Sequence, residues 1–149
     1  MCRLLTTFIL LILIVPASGY AAQCNVVTSA MSFGAYDPLS ATPADTTTTV
    51  SISCNPKKPQ IVTIQISGGN SGTPAMRNLL NGSSVLVYNL FSNPGRSQVI
   101  GDGTGGSTTL TRSVDRTSPW NVTLYGRIPA LQVIPAGLYS DSLVATILW

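Results

Sequence analysis

Residues 141–149 read DSLVATILW, and how this stretch is understood decides the fold. Leu143, Ala145, Ile147 and Trp149 alternate with Val144, Thr146 and Leu148. That is the period of two that sends successive side chains to opposite faces of a β-strand. Edge strands are normally blunted by charge, proline or a bulge, because an open apolar strand recruits another chain. Here the alternation keeps its full apolar strength through Trp149. From the alternation alone the run reads as a core strand of a β-sandwich, or as an open edge that would invite pairing with another chain.

Upstream, similar runs recur, separated by turn residues. AMSFGAY (30–36) leads into a Pro/Ala/Asp/Thr loop, and TTTTVSISC (46–54) alternates Val50, Ile52 and Cys54 against serines. IVTIQIS (61–67) is closed by GGNSG, and SVLVYNLF (84–91) ends at Asn93-Pro94-Gly95. GDGTGG (101–106) precedes STTLTRSV (107–114), and NVTLYGRI (121–128) comes before the final run. No segment carries sustained helical periodicity with caps, apart from a short turn expected around Ala75–Leu80. Seven or so short strands at this spacing predict one all-β domain, an antiparallel β-sandwich.

The N-terminus MCRLLTTFILLILIVPASGYAA (1–22) has one arginine, a short apolar run and then small residues. This is the layout of a secretory signal peptide over residues 1–21, with cleavage after Ala21 or Ala22. The apolar run is too short to span a bilayer as a helix. The expected mature domain, 22–149, is therefore exported and has no integral membrane segment. Cys2 leaves with the signal, so Cys24 and Cys54 remain, and an even pair in an oxidising compartment predicts a disulfide.

Charge and composition narrow the function. The chain has 8 basic residues, 5 acidic ones and no histidine. The basic residues are scattered, with no run and no interleaved aromatics, so nucleic-acid binding gains no support. Without histidine neither a Ser–His–Asp nor a Cys–His arrangement can be built, and zinc loses its commonest ligand. Asp37, Asp45, Asp102, Asp115 and Asp141 are well apart in sequence and offer no obvious carboxylate pair for glycoside hydrolysis. Gly101–Gly106 spells GxGxxG, yet STTLT is a poor helix, and the dinucleotide fingerprint needs a helix N-terminus at that point. A loop is expected there. No enzyme activity, cofactor or metal site is expected.

Taken in order, FGAYDPL (33–39), the Cys24/Cys54 pair, Arg77 before an apolar stretch, VYNLF (87–91), GDGTGG, LYGRIPA (124–130) with Gln132, and GLYSDSLVATILW (137–149) resemble the spore coat protein U domain family. That family includes subunits of archaic, Csu-type chaperone–usher pili. The resemblance implies an immunoglobulin-like sandwich missing its last strand, with Leu143, Ala145, Ile147 and Trp149 bordering an acceptor groove. It implies as partners a periplasmic chaperone that lends a strand, an outer-membrane usher and other pilus subunits. It also implies a path through the periplasm to the cell surface, with adhesion or biofilm formation as the role. The physical mode is β-strand addition, in which main-chain bonds give affinity and side-chain pockets give specificity.

Polymerising subunits of the family carry an apolar extension before the first cysteine. Cleavage after Ala21 leaves only Ala22 and Gln23 there, a reach of roughly 7 Å. Filling a groove takes about five residues or more. The expectation is a subunit that accepts a strand and gives none, as a tip or minor subunit would. Two alternatives stay open. One is a self-contained spore-coat or cell-surface protein whose groove its own chain closes. The other is a surface-binding adhesin module that grips with loop aromatics such as Trp120 and Tyr139.

Overall fold

A computed structural model describes residues 23–55 and 59–149; the expected signal peptide over residues 1–21 lies outside the described residues. Within them the alternating runs become β1 (Cys24–Thr28), β2 (Ala44–Cys54), β3 (Gln60–Ile66), β4 (Arg77–Asn81), β5 (Ser84–Phe91), β6 (Leu110–Val114), β7 (Trp120–Ile128) and β8 (Ala145–Leu148). They form a five-stranded sheet, β1-β2-β7-β5-β4, and a three-stranded sheet, β6-β3-β8. Every strand pair is antiparallel.

The two sheets make a β-sandwich because each strand sends alternate apolar residues inward. Val50, Ile52, Leu86, Leu90, Val122 and Leu124 come from the larger sheet, and Val62, Ile64, Ile66 and Val114 from the smaller. Cys24 and Cys54 face each other in the β1–β2 register and are joined by a disulfide. Trp120 is buried at the start of β7, so it is not an exposed loop aromatic and does not serve the adhesin reading.

Two local expectations change. Residues 75–80 form no helical turn; Arg77–Asn81 is instead paired with β5 through a hairpin at Gly82, whose φ is +57°. The only helical turn among the described residues is a 3-10 turn at Gly69–Ser71. The run at 30–36 alternates like a strand but is not one. Threonine hydroxyls on β2 take up carbonyls of this segment, those of Thr48 and Thr46 donating to Ser29 O and Ser32 O at 2.8 Å each. Side-chain donors thus compete locally with the ladder.

Arg77 joins the sheets. It is fully buried and touches no carboxylate. Its Nε donates to Ser67 O (3.0 Å), Nη1 to Asn89 Oδ1 (2.8 Å), and Nη2 to Ile100 O (2.9 Å) and Ile66 O (3.3 Å). The acceptors lie at the end of β3, on β5 and in the loop before β6, so one planar fork fixes three parts of the sandwich. Burial lowers its pKa, while the fields of Tyr88, Asp141 and Asp102 act the other way.

Candidate functional site

The sandwich is open along one side, between the edge of the larger sheet and β8. A groove of about 1330 Å³ runs there. Its floor is the core itself: Val50, Leu86, Tyr88, Leu90, Leu124 and Ile66. One wall is β1 with the segment after it, including Met31 and Phe33; the other is the chain from Ile134 to Ala145. A smaller hollow of about 700 Å³ lies at the disulfide end, bordered by Gln23, Cys24, Asn25 and Trp149. The start of β1 thus faces the end of β8, and the end of β1 faces its beginning. The two hollows follow one seam.

Leu143 and Ala145 line the long groove. Ile147 packs against the core and pairs with Ile64. Trp149 is half-exposed and lies in the disulfide-end hollow, outside the long groove. Val144 and Leu148 are exposed, Val144 at the rim of the long groove. β8 pairs with β3 on one side only, so its second edge lies open along the seam.

The wall leading into β8 is held from several directions. Ser140 and Leu80 exchange backbone bonds (2.9 and 3.1 Å), and Ser67 N–H donates to Val144 O (2.9 Å) while Val144 N–H donates to Ser67 Oγ (2.9 Å). Between them sits Asp141. Its carboxylate accepts from Tyr88 Oη (2.7 Å), Asn70 N–H (2.8 Å) and Ser142 N–H (2.8 Å). A Cβ on Gly69 would collide with this carboxylate, so a glycine is required for the approach. Burial pushes the Tyr88 phenol far above its usual pKa, and the bond to the Asp141 carboxylate adds to that. Tyr139, half-buried on the groove wall, donates its hydroxyl to Pro135 O (3.0 Å).

The opposite wall went unread in the sequence. Met31 and Phe33 drop onto Gly126 of β7, where a Cβ would lie 2.5 Å from Met31 Sδ and 2.8 Å from the Phe33 ring. Phe33 meets Tyr88 edge to face, with centroids 5.8 Å apart. The signal was Gly126 itself, since a glycine inside a strand marks a close approach. Among the described residues no cluster of His, Cys, Asp or Glu could hold a metal ion, and no helix is long and apolar enough to cross a membrane. Gly101–Gly106 is an irregular loop.

The model of the Spore Coat Protein U domain family matches residues 12–146. No curated protein matches the chain. Among solved structures the fold is similar to a chain in the CsuC–CsuE chaperone–tip adhesion subunit pre-assembly complex from archaic chaperone-usher Csu pili of Acinetobacter baumannii. The TM-score is 0.60 at 17% sequence identity, over 87% of this chain and 40% of that one. The present chain thus spans well under half the length of the chain it matches.

Proposed function

The chain belongs to the Spore Coat Protein U domain family, and from that premise we propose that it is a secreted structural subunit of a chaperone–usher surface fibre. A periplasmic chaperone first fills the open seam with a strand of its own, and the extension of another subunit replaces it after delivery to the outer-membrane usher. The observation that carries this reading is the seam. Its floor is the hydrophobic core, and β8 borders it with an unpaired edge and inward-facing Leu143, Ala145 and Ile147.

The magnitudes agree with the reading. Four or five apolar side chains entering the seam would contribute roughly 6–15 kcal/mol gross, comparable to the whole net stability of a small domain. An empty subunit is then close to unfolding, and a filled one is very stable. We place the subunit at or near the fibre tip on the expectation that cleavage after Ala21 or Ala22 leaves too few residues ahead of β1 for a donor strand, and we assign it a role in adhesion or biofilm formation.

The test is co-purification of the mature chain from periplasm, together with thermal unfolding in the presence of a synthetic peptide of alternating apolar residues. A bound chaperone and a melting temperature that climbs with peptide concentration are expected, since a ligand that binds only the native state stabilises it by mass action. A high melting temperature that no peptide changes, with no chaperone recovered, would overturn the reading. That result would favour a self-contained coat or cell-surface protein, a reading supported by the entry of Met31 and Phe33 into the seam from the chain's own side.

A further inference from the structure

We propose that Met31 and Phe33 are an internal plug: they occupy the seam as surrogate donor side chains and leave it when a donor strand enters. Segment 29–34 then pairs with β2 as a continuation of β1. The inference rests on the acceptor-groove reading and adds a conformational step to it.

The β1–β2 ladder ends at Thr28 opposite Val50. Carried on in the same register, Ser29 would face Thr49, Met31 would face Thr47 and Phe33 would face Asp45. Ala44–Thr49 of β2 pairs with β7 on one side, while its other edge has no strand partner. The backbone of 29–34 is therefore in register with a vacant ladder without using it. Ser29 N–H reaches Thr49 O at a long 3.4 Å. Beyond it, the Thr48 and Thr46 hydroxyls replace main-chain donors.

Splayed from β2 in this way, the segment turns two apolar side chains, spaced i and i+2, onto the groove floor. A donor strand presents the same spacing. Beneath them is the notch left by Gly126, which Met31 Sδ and the Phe33 ring fill. Gly34, at φ +70°, provides the hinge. Just past it Tyr36 is fixed, its hydroxyl donating to Pro129 O (2.9 Å) and accepting from Gln132 N–H (2.8 Å). The far end thus stays anchored while residues 29–34 move. Met31 and Phe33 are only partly buried, so their release gives up less burial than full-size donor side chains regain.

The experiment uses thiol reactivity of a Phe33→Cys variant of the mature chain, in which Cys24 and Cys54 are consumed by the disulfide. The probe is a synthetic peptide of about twelve residues, alternating valine and threonine with one central phenylalanine, long enough for a full strand. Labelling by a maleimide is expected to rise about tenfold when peptide saturates the seam, as the closed fraction is depleted. In parallel, Phe33→Ala should bind the peptide about tenfold faster than wild type, because a competing occupant has been removed. Labelling that stays constant or falls, or slower binding by Phe33→Ala, means that Met31 and Phe33 are permanent wall, and the plug is wrong. If Phe33→Cys accumulates poorly, Met31→Cys carries the same label and the same expectation. Peptide that fails to stabilise the wild-type chain strikes the acceptor groove itself, and the plug with it. Peptide that stabilises the chain without raising the labelling strikes the plug alone.

Discussion

Replacing Arg77 with methionine tests whether a buried guanidinium can be worth more than an apolar side chain of similar length. The substitution keeps most of the volume and removes every donor. Four acceptors lose a partner: Ser67 O, Ile66 O, Ile100 O and Asn89 Oδ1. Asn89 Oδ1 is not stranded, because it also accepts from Leu90 N–H at 2.9 Å, and the 3.3 Å bond to Ile66 O is the weakest of the set. Ser67 O and Ile100 O are the main losses, at about 1–3 kcal/mol each. Methionine in turn spares the desolvation of a cation, which works against that loss. A net destabilisation of about 2–4 kcal/mol is expected. Urea unfolding of the purified mature chain at neutral pH should show it as a lower midpoint with an unchanged slope. Since Ser67 also holds Val144, hydrogen exchange in β8 should accelerate more than in β2. A loss below about 1 kcal/mol, or a gain, would refute the reasoning, showing that the carbonyl cage merely offsets the cost of burying the charge.

Three further outcomes are expected. Cys24→Ser, which opens a link between residues 30 apart in sequence, should lower stability by about 3–4 kcal/mol on the loop-entropy estimate, read by the same urea titration under non-reducing conditions. Ile147→Asp puts an unpaired charge into an apolar seam; it should abolish chaperone capture and lead to periplasmic degradation, and normal accumulation on an immunoblot would instead support a closed sandwich. The Tyr88 phenol has a folded pKa above its unfolded value, so the native state favours the neutral form. That contribution is fully present below about pH 10 and is lost as pH rises beyond it, and Tyr88→Phe should show a shallower alkaline decline in its unfolding free energy.

The strands that were legible in the sequence are those whose alternation coincides with the core. TTTTVSISC, IVTIQIS, SVLVYNLF and NVTLYGRI all became β-strands with alternate apolar members inward, though Ile61 and Val85 stay exposed. The run at 30–36 alternates just as well, yet Thr46 claims the carbonyl of Ser32 and Thr48 that of Ser29 just ahead of the run, an interaction set by residues that lie over a dozen positions away. Arg77–Asn81 lacks the alternation of its neighbours and becomes a strand through its pairing with β5; Asn81-Gly82 is a hairpin signal in its own right. Half of the candidate site was visible in DSLVATILW. The other half was not, because Met31, Phe33 and Gly126 come together from opposite ends of the chain and no local period encodes that.

Gln132 has a consequence for which main-chain groups of β5 stay open to another chain. On the side of β5 that faces β7, the register that pairs Asn89 with Arg127 would next set Val87 opposite Pro129, which has no N–H to give. That leaves a second vacancy in the sandwich, where a stray extended peptide could dock. The Gln132 side chain fills it, its Oε1 accepting from Val87 N–H and its Nε2 donating to Val87 O, both at 2.9 Å. A carboxamide is chemically a peptide group on a tether, so one residue imitates a strand partner opposite Val87. With Val87 satisfied from within, a stray extended peptide finds no free main-chain pair at this point of the larger sheet.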